Sequence, residues 1–396
     1  MAVAVVIAFF FFVNYLRIKK FSLIPTIVLS ILLIAGSTLI QGVVVGFYTP
    51  IAGDARSGTL VPYSLDGQEY FHDALLVTDP LEFFQQYNKI QSNFHQHTKT
   101  HPPGPVLGFY FLRKLLHDPG LITLFIMILA SVLTTYFFYQ LMLVENSKKT
   151  AGYMTFILML LPVVQIYYLA TIDAIVTALL TGTLYLFCFG KGYKAIVGAA
   201  FMLFTSFMLT FVSLFILPVL VGFDFIKKRS LKRSIFVIGG VIIAHILIYL
   251  IFGYNAFQSF RAASFYENPQ GFMLFVDPVN YLFTRIEDIA EIIFFFGPFL
   301  CILFIRGMRD TFKDFQIRSL YVLTILGCTT LLGMYLVGAW RTGETARACA
   351  FIYPYLLFPI GRYLDDLDIR ANEYLKLATL VFVQSVAMQT FGFYLW

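Results

Sequence analysis

Apolar runs of about 16 to 26 residues, parted by short polar connectors, follow one another along most of the chain. A helix rises about 1.5 Å per residue, so roughly 20 residues cross a hydrocarbon core about 30 Å thick. The pattern predicts an all-α, polytopic helical membrane protein with about twelve crossings, over residues 1–16, 21–47, 119–144, 150–169, 171–190, 194–209, 210–226, 234–253, 288–305, 319–338, 347–363 and 374–394. The stretch from Lys194 to Lys227 decides one of them. Both its ends are basic and belong on one side, so two short helices turning near Leu209 to Phe211 are expected in place of a single crossing.

Residues 48–118 and 254–287 are too polar to cross and form two long outer loops, with a short third at 339–346. The chain, 1–396, reads as one integral domain with 48–118 as a loop subdomain inside it. Within that loop Leu81–Ile90 and Val106–Leu116 suit short amphipathic helices, and Tyr281–Ile293 suits a helix lying at the outer surface before turning into a crossing.

Composition narrows the class. Hydrophobic residues make up 59% and charged residues 13%, with mean hydropathy +0.80. Soluble domains carry about 25% charged residues, so a soluble globule of this size is excluded. A net charge of +6 suits nucleic acid or acidic lipid, but its placement points to topology. Arg17, Lys19 and Lys20, then Lys148 and Lys149, Lys191 and Lys194, the Lys227–Arg233 cluster and the Arg306–Arg318 cluster occupy alternate connectors, which the positive-inside rule puts at the cytoplasm. Most acids fall on the opposite side. No nucleic-acid partner is expected. Cys188, Cys301, Cys328 and Cys349 lie in apolar segments without a CxxC pair and read as small core residues. Residues 1–16 lack a charged start and a small-residue cleavage site, and read as a short first crossing, not a cleavable signal. No inverted repeat, low-complexity segment or glycine-rich phosphate loop is visible.

The remaining polar residues collect at one predicted face. Asp66, Glu69, His72 and Asp73, then His95, His97 and His101, then Asp173, then Arg341, Glu344 and Arg347 come from distant segments, and five of the six histidines lie between positions 72 and 117. In "LDGQEYFHDALL" Asp66, flanked by apolar residues, suits a partly desolvated general base, or equally a loop acid or helix N-cap. In "HTKTHPPGP" the prolines remove two amide donors and stiffen the loop where it re-enters the membrane. His95 and His97, two apart, face one side of an extended chain and suit a divalent metal ion, a phosphate or plain loop hydrogen bonds. Asp173, in "YLATIDAIVTALL", is either a functional acid at a hairpin mouth or a cap for the span that starts there. "GAWRTGETARACAF" sets Arg341 and Arg347 around a helix start, suited to grip phosphate oxygens; a local ion pair of Arg347 with Glu344 is the plainer alternative.

A long first outer loop opening on an acidic motif, a histidine-proline re-entry and many short spans resemble the GT-C glycosyltransferases, within them the protein O-mannosyltransferase and aminoarabinose-transferase type. That family's loop often reads Asp-Glu-Ala-x-Tyr followed by Asp-Ala. Here Asp66, Tyr70, Asp73 and Ala74 keep the spacing, while Gly67 stands where the Glu is usual. Thr100–Pro105 looks like the family's proline-rich helix entry, and "TIDAIVTALL" is similar to its second acidic patch. The likeness spans roughly residues 40–225, and the Arg341–Arg347 block also looks similar to that of bacterial and archaeal members.

The resemblance implies an inverting transferase that moves a sugar from a polyprenyl-phosphate donor to an acceptor glycan, lipid or protein at the outer face of the cell membrane. Asp66, or Glu69 in its place, would be the catalytic base. Arg341 and Arg347 would bind the departing lipid phosphate, assisted by His101 and Arg261, and Tyr70 would stack on or hydrogen-bond the sugar. A divalent metal cofactor is left open, since relatives differ in needing one. Two other classes share parts of this pattern. A lipid-linked sugar flippase would hold ionisable groups near the bilayer midplane, where only His245 stands here, and a surface-polysaccharide polymerase or ligase would share the outer-face chemistry.

Overall fold

The computed structural model describes residues 1–18, 23–52, 66–169, 171–314, 318–338 and 344–392, and among these it is helical with no strand. After α1 (Ala2–Ile18), α2 (Leu23–Thr38) runs on through a 3-10 turn (Leu39–Gln41) and a π-helical turn (Val44–Tyr48) to α3 (Thr49–Ala52). The first long loop folds as α4 (Asp66–Leu76), α5 (Pro80–Ile90), α6 (Gln96–Lys99) and α7 (Gly104–Leu116). Then come α8 (Pro119–Leu143), α9 (Lys148–Leu160), α10 (Pro162–Tyr167), α11 (Ile172–Phe189), α12 (Gly192–Leu209), α13 (Ile216–Phe223) and α14 (Lys232–Phe252). The second loop carries α15 (Ala256–Glu267) and α16 (Met273–Val276), followed by α17 (Pro278–Phe296), α18 (Pro298–Asp314), α19 (Ser319–Leu336), α20 (Thr345–Ala348), α21 (Tyr353–Asp366) and α22 (Ala371–Phe391).

Among the described residues six helices are long and apolar enough to cross a bilayer: Leu23–Gln41, α8, α11, α12, α14 and α19. The pair α17 and α18, bent by 100°, makes a seventh if it counts as one span. This is a multi-pass, all-α membrane protein. The two expected loop helices appear as α5 and α7, and the turn expected near Leu209 to Phe211 falls at Thr210, whose extended backbone ends α12.

Asp-Pro pairs start three helices. Asp79 accepts from the amides of Leu81 and Glu82, Asp118 from Leu121 and Asp277 from Asn280, each ahead of a proline that has no amide to leave bare.

Two expected crossings are not straight. Pro162 parts α9 from α10 inside the stretch 150–169, because proline cannot continue the hydrogen-bond ladder. Side chains take up the freed carbonyls, as a buried break requires. Gln165 Nε2 donates to Met159 O at 2.6 Å and Ser385 Oγ to Leu160 O at 2.6 Å. Ser37 of α2 and Gln389 of α22 complete the knot on Gln165 at 2.8 Å each. The expected crossing at 288–305 is bent at Gly297, whose φ of +90° suits glycine, and Gln384 Nε2 donates to Phe294 O at 2.9 Å beside it.

Contacts sort the connectors into two ends. At one, Glu145 accepts from the amides of Ser319 and Leu320, Asp365 from that of Ser147, and Arg233 donates to Phe187 O. These join the basic connectors. At the other end α4–α7, the start of α11 and the segment 344–348 meet, over a separate apolar core of Tyr70, Phe71, Phe83, Tyr87, Phe109 and Tyr254 among others.

Candidate functional site

Glu69 and Asp73 lie one turn apart on α4 and so share a face. That face meets the start of α6. Asp73, 1% exposed, binds His95 twice, accepting from its backbone N at 3.2 Å and pairing Oδ1 with ring Nδ1 at 2.8 Å. Glu69 Oε2 accepts from His97 N at 2.6 Å. Two carboxylates thus satisfy amides at the helix start, where the helix field favours anions.

The loop behind is fastened from several sides. Tyr87 shares its hydroxyl proton between the carbonyls of Thr98 and His101, at 2.9 and 2.7 Å. His101 Nδ1 donates to His97 O at 2.8 Å, and Gln91 Nε2 to Lys99 O at 2.8 Å. Gly104 lets α7 pass against the end of α12: a Cβ there would sit 2.0 Å from Met208 O. The "HPPGP" stretch therefore serves close helix approach as well as rigidity.

The third component comes from the far end of the sequence. Arg347, 2% exposed, donates through Nη2 to Glu344 Oε2 at 2.7 Å and sets Nε 3.5 Å from Asp173 Oδ2 in the first turn of α11. Glu344 Oε1 in turn stands 3.9 Å from His97 Nε2. A polar chain runs from Glu69 through His97, Glu344 and Arg347 to Asp173, joining segments up to 278 positions apart in sequence.

Sequence reasoning missed the support of this chain on α17. Thr345 hangs from that helix: its amide donates to Glu291 Oε2 at 3.1 Å and its hydroxyl to Asp288 Oδ1 at 2.6 Å. Arg285 pairs with Asp288 at 3.2 Å and donates to Tyr335 O at 2.6 Å. Asp288 is fully buried. Arg285, Asp288 and Glu291 are spaced by three, so they line one helix face, and that spacing was the available signal.

Several expectations need correction. His95 and His97 do not face one side of an extended strand. His95 stands at the entry to a helical turn, so the alternation is lost, and separate carboxylates on α4 and Glu344 are their partners. Among the described residues no group of three or more His, Cys, Asp or Glu converges as a metal-ion set would. Tyr70 is fully buried, its ring edge-on to His101 at 5.5 Å and stacked on Phe109, a packing place without access to a sugar in this conformation. Arg261 is exposed on α15, between the buried Ser259 and Ala263, and none of the ion pairs among the described residues brings it to the chain of polar contacts. Arg347 is engaged by two carboxylates, as the local-pair alternative has it, so a phosphate reaches it only if Glu344 turns away. The Asp66 backbone opens α4; its side chain, and Arg341 altogether, lie outside the described residues.

The cluster thus pairs acids able to accept a proton with a buried guanidinium able to steady an oxyanion, at one end of a helical bundle. No protein-family model matches the chain, and no curated protein is detectably similar to it in sequence.

Proposed function

We propose that the protein is a GT-C-type membrane glycosyltransferase, crossing the cell membrane twelve times, that transfers a sugar from a polyprenyl-phosphate donor to a hydroxyl or amine acceptor at the non-cytoplasmic face. The observation that carries this reading is the Glu69–His97–Glu344–Arg347–Asp173 chain, which gathers acids, an imidazole and a guanidinium at the end opposite the basic connectors. Asp66, first residue of α4 and one turn ahead of Glu69, is the base. It takes the acceptor proton as the acceptor atom attacks the anomeric carbon, and the bond to the phosphate oxygen breaks with inversion. The leaving polyprenyl phosphate carries its negative charge to Arg347 and Arg341, with Glu344 moving aside. The Asp73–His95 pair fixes the His95–His97 turn against α4, beside Glu69.

Purified protein given donor labelled in the sugar, together with an extract of envelope acceptors, is expected to release unlabelled polyprenyl phosphate and to label an acceptor. A second reading, movement of the intact donor across the bilayer, draws on the broken helix at Leu161–Pro162, since transporters break helices at their sites. The groups filling that break are uncharged and already hydrogen-bonded to one another. Donor that crosses vesicles without being cleaved would favour this reading over transfer.

A further inference from the structure

Helix α14 is the least covered of the six long apolar helices, with 11% of its best window buried against protein. Between it and α13 runs an apolar crevice of about 290 Å³, lined by Val221, Leu231, Ser234, Ile235, Ile238, Gly239 and Ile242. From Leu231 to Ile242 it extends about 16 Å along the helix axis, at ~1.5 Å per residue. One leaflet of a hydrocarbon core is about 15 Å deep, half of roughly 30 Å. The crevice therefore starts at the basic connector and ends near the bilayer midplane.

Two further observations concern its occupant. Gly239 sits in the middle of a long helix, where glycine is less favourable than alanine. Beyond its own stretch of helix backbone, no atom lies within 4 Å of the place its Cβ would take, so no packing against the rest of the chain calls for glycine there. At the mouth, the charges are sorted. Asp224 is 1% exposed and turned inward, accepting from Ser234 N and Oγ at 3.2 Å each, and Arg233 is drawn to Phe187 O at 2.8 Å. Lys228, Arg229 and Lys232 are exposed, while Asp224 is buried.

We infer that this crevice is a binding site for an anionic phospholipid of the leaflet at the basic end, one acyl chain lying over Gly239 and the phosphate held by Lys228, Arg229 and Lys232. Clusters of basic side chains beside a membrane helix attract anionic headgroups, which favours such a lipid over a zwitterionic one. The site is at the opposite end of the bundle from the Arg347 cluster and does not rest on the transferase reading.

The test uses the full chain in detergent, with phosphatidylglycerol and phosphatidylcholine added separately, read by thermal unfolding and by native mass spectrometry. Phosphatidylglycerol is expected to raise the melting temperature by about 2 °C or more and to stay bound in the gas phase, with phosphatidylcholine weaker in both. Gly239→Leu, whose side chain enters open space, should fold normally and lose the retained lipid. Arg229→Gln with Lys232→Gln, both at exposed positions, should lose the preference for phosphatidylglycerol while keeping residual binding of either lipid. Equal binding of the two lipids by the wild-type chain would overturn the proposal, as would unchanged retention in Gly239→Leu. Tighter binding of polyprenyl phosphate than of phosphatidylglycerol, lost in the same variants, would overturn it in favour of a donor-lipid site.

Discussion

Arg347 and Asp173 meet at 3.5 Å in nearly complete burial, although 174 positions separate them in the chain. Glu344, more exposed, closes on the same guanidinium from three residues away. Breaking a buried pair strands the remaining charge, at a cost of about 3 to 5 kcal/mol, whereas replacing both partners by apolar residues is often close to neutral. Arg347→Ala is thus expected to lower thermal stability sharply, and Asp173→Leu with Arg347→Met to recover most of the loss. Melting curves of the two variants in one detergent check this; equal losses would mean that the pair is not coupled.

Asp66→Asn is expected to reduce sugar transfer by roughly 10²- to 10⁴-fold, the usual contribution of a general base. The variant should insert and bind polyprenyl phosphate as the wild type does. Turnover of a labelled donor by the purified variant, beside a binding isotherm for the carrier, separates the two effects. Full activity removes Asp66 from the chemistry and leaves Glu69 as the base to test.

Gly297 holds a φ of +90° that is nearly reserved for glycine, and a Cβ there would lie 2.0 Å from Gln384 Oε1. Such backbone costs other residues about 1 to 3 kcal/mol. Gly297→Ala is predicted to destabilise by that amount or more. Adding Gln384→Ala removes the collision but not the backbone strain, so it should restore only part of the loss on the melting temperature.

Asp365 sits among the connectors of the basic end. Burial pushes its carboxyl upward, but the hydroxyls of Ser147 and Thr150, the Ser147 amide and Arg362 outweigh that effect and hold it below its ordinary value. A carboxyl depressed in the folded state stabilises above its unfolded pKa of about 3.9, and the contribution fades as pH falls through the folded value. Asp365→Asn should therefore cost about 1 to 3 kcal/mol near neutral pH, the worth of charged hydrogen bonds. The gap between the two melting temperatures should stay constant down to about pH 5 and narrow as pH falls below about 4. A gap independent of pH would show that the charge itself contributes nothing.

Local features were readable from the sequence, and long-range ones less so. The Glu344–Arg347 pair follows from a spacing of three, and α5 and α7 follow from their amphipathic pattern. The turn near Thr210 follows from the basic charge at both ends of 194–227. The Asp73–His95 pairing was out of reach, since it depends on how α4 packs against α6 across a loop. His95 and His97 misled for a related reason: period-two reasoning holds only for extended backbone, and Asp73 draws His95 into the entry of a helical turn. Arg285, Asp288 and Glu291 were passed over as the polar side of a surface helix, when the side they line is the one that carries Thr345.

The break at Leu161–Pro162 has a consequence for biogenesis. Its bare carbonyls are covered by Gln165 of α10, whose own side chain is held by Ser37 of α2, and by Ser385 of α22, made more than two hundred residues after the break. Until α22 docks, Leu160 O lacks the Ser385 hydroxyl and Gln165 O the Gln389 amide. The break is therefore fully satisfied only when the last helix packs, by the arrival of two side chains, Ser385 and Gln389.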